Sequence, residues 1–110
     1  MSQFNVVDSS GWLEYFVNTP RAGLFEPAIL DTPNLLVPVI SIYEVFKKVL
    51  RDRGEDRALR IASTMRNGRV IDLDLSLSID AAKYHLPLAD SIIYATAQRY
   101  NAVLWTQDRD

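Results

Sequence analysis

The chain has 110 residues, 48% of them hydrophobic, a formal net charge of −2 and no cysteine. That length supports a single hydrophobic core, and that composition excludes a disordered chain. Disulfides and cysteine-ligated zinc are excluded together. No apolar run approaches the ~18 residues of a membrane helix. Residues 1–7 lack the charged and apolar regions of a secretory signal, so a soluble cytoplasmic protein with no membrane partner is expected.

Residues 4–7, Phe-Asn-Val-Val, read as a short buried strand stopping at Asp8. Ser9-Ser10-Gly11 opens a helix carrying Trp12, Leu13, Tyr15, Phe16 and Val17, which Pro20 ends. A second helical stretch covers 24–30. Residues 34–40 form the second strand, which should end or bulge at Pro38 because proline removes a ladder donor. Ser41-Ile42-Tyr43-Glu44 has the S-x-x-E form of a capping box, followed by the stripe Ile42, Val45, Phe46, Val49 and Leu50. Gly54 stops that helix, and another runs over 55–65 to Asn67-Gly68. Residues 70–73 read as a third strand and 76–84 as a helix. A stronger helix spans 88–100, with Pro87 before it and Asn101 as a left-handed stop. Residues 102–106 are the last strand. Strands separated by helices imply an α/β fold, a parallel sheet with helices on both faces, and sites beyond the carboxyl ends of the strands.

Of twelve basic residues, eight lie between Lys47 and Arg69. Such a segment could hold phosphates on an acidic protein, although the interleaved Asp52, Glu55 and Asp56 also suit a solvated face. Four acids stand where a strand ends or a helix begins, and each has an ordinary structural reading. Asp8 suits a helix N-cap. Glu44 suits the reciprocal arm of the capping box, or an ion pair with Lys48 at i,i+4. Asp90 suits the first turn of the long helix, where the dipole favours an acid. Asp108 suits a turn, and Asp110 is a weaker candidate there.

Jointly they mean more. A parallel sheet brings these ends to one edge, where two charges ~4 Å apart repel by about 4 kcal/mol at an effective dielectric of 20. Convergence therefore requires raised pKa values or a divalent cation. An all-oxygen set favours Mg²⁺ or Mn²⁺ over zinc. On the helical wheel Glu44 turns away from Ile42, Phe46 and Val49 and shares a face with Lys47, Lys48 and Arg51. His85 stands alone, so a two-histidine ribonuclease cannot be assembled.

Four stretches in order carry a resemblance: Val6-Val7-Asp8-Ser9-Ser10, Tyr43-Glu44-Val45-Phe46, Leu88-Ala89-Asp90-Ser91-Ile92-Ile93 and Trp105-Thr106-Gln107-Asp108-Arg109-Asp110. They resemble the PIN domain, and more closely the VapC-type toxins of bacterial toxin–antitoxin pairs, over essentially the whole chain. The resemblance implies a three-layer α/β/α fold around a parallel sheet of about four to five strands. It implies Asp8, Glu44, Asp90 and Asp108 as the catalytic, metal-binding acids, with Ser10 and Thr106 as supporting polar groups. The implied activity is Mg²⁺- or Mn²⁺-dependent endonucleolytic cleavage of RNA, tRNA among the targets, with Lys47, Lys48 and Arg51 flanking the phosphates. A homodimer and a cognate antitoxin laid across the site are the implied partners. Family members continue through a phenylalanine and a final edge strand, so a single domain over 1–110, truncated at its C-terminus, is expected. The helix before Pro87, taken to carry His85, is expected to be abbreviated.

Three rivals differ in sequence. A phospho-acceptor receiver domain would carry adjacent acids after the first strand and a lysine after the last, and neither is present. Asp72-Leu73-Asp74-Leu75 echoes the D-x-D of dehalogenase-like phosphatases but comes late in the chain, and alternation makes it one polar strand face. The third is a catalytically idle module that binds an antitoxin-like protein partner. Its surface would draw on Trp12, Tyr15, Phe16, Leu24 and Phe25, of which core packing claims at least half.

Overall fold

Alternation along the strands decides which helices each side of the sheet holds. The structure, a computed structural model, describes residues 3–106. The strands β1 (Asn5–Val7), β2 (Leu35–Pro38), β3 (Arg69–Ile71) and β4 (Val103–Trp105) pair in parallel in the order β3-β2-β1-β4. Val7, Leu35 and Val37 point to one side, and Val6, Leu36 and Ile71 to the other. Because successive side chains alternate, a strand with both faces buried reads as a continuous apolar run.

The first face packs α1 (Ser9–Phe16), α2 (Ala22–Leu30), α3 (Val39–Arg53) and α4 (Glu55–Met65), through Trp12, Phe25, Ala28, Ile29, Val45, Val49, Ala58, Ile61 and Met65. The second packs α5 (Leu75–Ala82) and α6 (Leu88–Arg99), through Leu77, Ala81, Ile92, Ile93, Ala95 and Ala97. The result is the expected three-layer α/β/α arrangement. Trp12 and Phe25 are core residues, Tyr15 and Phe16 pack half-buried against them, and Leu24 is exposed. Core packing thus takes most of the aromatic surplus of the first two helices.

Two stops behave as their residues dictate. Gly54 adopts φ 90 between α3 and α4, and Asn101 adopts φ 52 after α6, both left-handed positions that favour these residue types. Other boundaries shift. β2 ends at Pro38 as its missing N–H requires, but α3 begins at once at Val39, with no side-chain cap. Ser41 therefore lies inside the helix, fully buried, and the capping box does not form. β3 ends at Ile71, so Asp72 and Asp74 do not share a strand face. Asp74 instead caps α5 by accepting a hydrogen bond from the Leu77 N–H at 2.8 Å. α5 spans eight residues and stops at Ala82, which leaves His85 outside it, exposed before Pro87. Among the described residues no helix is long and apolar enough to cross a membrane.

Candidate active site

The carboxyl ends of β1, β2 and β4 and the amino end of α6 supply the polar groups of one sheet edge. Asp8 follows β1 directly, and its backbone N–H donates to the Trp105 carbonyl at 3.1 Å, tying the start of α1 to the end of β4. Its side chain caps α1: Oδ1 accepts from the Gly11 N–H at 2.8 Å and from Ser10 Oγ at 2.9 Å. Thr106 Oγ1 donates to the other oxygen, Oδ2. With only 9% of its surface exposed, Asp8 is a buried carboxylate, and these donors replace the water it has lost.

Glu44 sits in the second turn of α3, half-buried, and Ser9 Oγ donates to its Oε1 at 2.5 Å. Ser9 thereby connects Glu44 to the α1 amino end that Asp8 caps. Sequence reasoning singled out Ser10 and passed over Ser9. Two adjacent serines at a helix start cannot both face the cap, and the wheel alone does not say where the other points. Asp90 lies in the first turn of α6, and with Glu44 it lines a pocket of about 290 Å³ walled by Ile40, Tyr43, Pro87, Leu88 and Ala89.

Asp8, Glu44 and Asp90 are thus brought to one edge, linked in sequence by a serine bridge and a shared pocket. Asp108 and Asp110 lie outside the described residues. Among the described residues, no three acids or histidines stand close enough to hold one ion together. In kind, the donors fit a hard divalent cation: carboxylate and hydroxyl oxygens, with neither sulfur nor imidazole. In number, the described set falls short of a complete ligand sphere.

The basic flank divides. Lys48 Nζ lies 3.4 Å from Asp52 and Arg51 Nε 3.0 Å from it, both in exposed pairs. The Arg51 hydrogen bond holds the Asp52 carboxyl below its ordinary value and raises the Arg51 guanidinium above its own. Lys47 lies instead against Tyr43, its Nζ 3.4 Å from the phenol oxygen. Lys48 also borders a second recess of about 310 Å³ between α1 and α3, together with Ser10, Glu14, Asp52 and Arg53.

A parallel three-layer sandwich with hydroxyl-held carboxylates along one sheet edge defines the class. The PIN-domain family profile matches residues 6–110, and the chain belongs to that family. Among solved structures, a toxin–antitoxin complex from Klebsiella pneumoniae contains a chain with the same fold. Its TM-score is 0.74 at 23% identity, covering 94% of this chain and 86% of that one. The Mycobacterium tuberculosis protein VapC20, described as a sarcin-ricin loop cleaving toxin, is similar with a TM-score of 0.76 at 17% identity, covering 96% and 91%. No curated protein matches the sequence.

Proposed function

We propose that the protein is a metal-dependent endoribonuclease, the toxin of a toxin–antitoxin pair. The observation that carries this reading is Asp8: a buried carboxylate fixed by Gly11, Ser10 and Thr106 at the edge where Glu44 and Asp90 share a pocket. Such fixing positions carboxylate lone pairs before a ligand arrives and is the mark of a supported site. Asp8, Glu44, Asp90 and Asp108 would hold Mg²⁺ or Mn²⁺. That ion would lower the pKa of a water and offset charge building on the scissile phosphate.

The residues' own tasks follow from their bonds. Ser10 and Thr106 fix the Asp8 carboxylate, and Ser9 fixes that of Glu44. Lys47, Lys48 and Arg51 supply the cations for phosphates flanking the cut, and the exposed Asp52 pairs of Lys48 and Arg51 are solvent-screened and readily exchanged. Similarity to the VapC20 toxin supports RNA as the substrate, and similarity to the toxin–antitoxin complex supports an antitoxin as partner. A homodimer in the cytoplasm completes the proposal. The competing reading, an idle antitoxin-binding module, rests on the described acids not closing around one ion.

Incubating the protein with structured RNA, with Mg²⁺ or Mn²⁺ and with chelator, separates the two. Cleavage is expected to require the metal and to fall in Asp8→Ala and Asp90→Ala beyond the roughly 10–100-fold loss typical of supporting groups. Ser10→Ala and Thr106→Val are expected to lose activity within that lower range. Metal-independent cleavage, or full activity in both aspartate variants, overturns the proposal.

A further inference from the structure

We infer that Tyr43, together with Leu88, forms a nucleobase shelf at the mouth of the Glu44–Asp90 pocket, so that the substrate offers an unstacked nucleotide there. The inference rests on the ribonuclease reading above and sharpens it to RNA whose target nucleotide is single-stranded or flipped out.

Tyr43 is 57% exposed and Leu88 is 76% exposed, and both line the pocket that Glu44 and Asp90 border. Isolated exposed apolar side chains are ordinary. Two such side chains lining one pocket with two carboxylates make a mixed surface, part apolar and part oxygen-rich. A nucleotide has the same two halves, a base with an uncharged π face and a phosphate that needs cations. Aromatic side chains take unpaired bases by stacking and do so with little regard to base identity.

The position of Lys47 fits this surface. Its Nζ is 3.4 Å from the Tyr43 hydroxyl but 5.5 Å from the ring centroid, which places the ammonium off the hydroxyl end and not above a face. Lys47 therefore does not itself cap the half-exposed ring, and its cation stands beside it for the neighbouring phosphate. Tyr43 also directly precedes Glu44 on α3, so one helical step links the base contact to the carboxylate.

The test is binding of a short single-stranded RNA, and of copies each lacking one base, followed by fluorescence anisotropy in chelator so that no cleavage intervenes. Tyr43→Ala is expected to weaken binding about tenfold, within the range for losing one base–aromatic stack, while Tyr43→Phe binds as the parent does. One abasic position should weaken the parent equally and add nothing in Tyr43→Ala, the non-additivity of partners in contact. Unchanged affinity in Tyr43→Ala, or additive losses at every abasic position, overturns the inference. So does a Tyr43→Ala variant that changes from dimer to monomer while affinity per protomer holds, since the shelf would then be a contact between copies. If the parent cleaves RNA with metal and Tyr43→Ala is indistinguishable from it, the shelf alone is lost. If the parent neither binds nor cleaves RNA, the ribonuclease reading goes with it.

Discussion

The Asp8 carboxylate accepts from Gly11 N, Ser10 Oγ and Thr106 Oγ1, so its role as a helix cap and its place in the site are one arrangement. The cap orients the carboxylate, and the hydroxyls hold it against rotation. Gly11 is the tight point of this arrangement. A Cβ there would lie 2.7 Å from the Phe25 ring and 2.8 Å from Val7 Cγ1. Gly11→Ala would gain about 0.5–1 kcal/mol of helix propensity. Overpacking a buried site costs typically 1–3 kcal/mol, so the clash wins and a lower Tm is expected. RNA cleavage should fall with it, because any shift of Gly11 moves the N–H that holds Asp8. A Tm at or above the parent's would show that α1 relaxes freely and that its start is not a rigid seat. At this scale the sequence offered a local hydrogen bond that the fold does not make. Ser41-x-x-Glu44 has the letters of a capping box, yet Pro38 already fixes the backbone φ for entry into α3 and the helix starts before Ser41. Glu44 is consequently free to receive Ser9, a contact across 35 residues that no local pattern encodes.

Most elements were legible from their punctuation: Gly54, Pro87 and Asn101 mark helix ends because their φ preferences leave little choice. The segment after β3 was not, because Ile71, Leu73 and Leu75 alternate as a strand does, while the capping of α5 by Asp74 depends on where hydrogen bonding stops. Asp74 also meets Arg99 at 3.4 Å, and Arg99 reaches Asp80 at 3.3 Å and Ser76 at 2.8 Å, which clamps α5 onto α6. The Leu77 N–H first, and then Arg99, hold the Asp74 carboxyl below its ordinary value of 3.8. A depressed folded-state pKa means stability that is fully present above the unfolded value and lost as pH falls through the folded one. Asp74→Asn keeps a capping oxygen but drops the charge, and Asp74→Ala drops both. Thermal melts between about pH 7 and pH 3 should therefore place parent above Asn above Ala at neutral pH, with the parent's lead over Asn closing at the acid end. A gap between parent and Asn that is independent of pH would show that the Arg99 pairing contributes nothing to the clamp.

For the whole molecule, an α/β sandwich with sites at strand ends was readable from the alternation of apolar runs and helical stripes, whereas the order β3-β2-β1-β4 was not. Helical crossovers of similar length can lead to either neighbour, and the choice is made by packing across both faces. That order is nonetheless what sets β1 between β2 and β4, bringing Asp8 beside Thr106 and, through Ser9, beside Glu44. An ion bound at these carboxylates by the folded state alone should stabilise the fold globally. At a concentration one hundred times its dissociation constant, such an ion contributes about 2.7 kcal/mol, or roughly 10 °C in Tm for a domain of this size. Mn²⁺ added to the metal-free protein should produce that rise, and chelator should reverse it. Asp90→Asn should abolish the rise, its own metal-free melt serving as the baseline for that loss. Asp8→Ala should abolish it and also lose about 1 kcal/mol in metal-free buffer, because the cap disappears together with the ligand. Differential scanning calorimetry of the three proteins with and without Mn²⁺ reads both effects at once, and a rise that survives in both variants would place the ion elsewhere on the molecule.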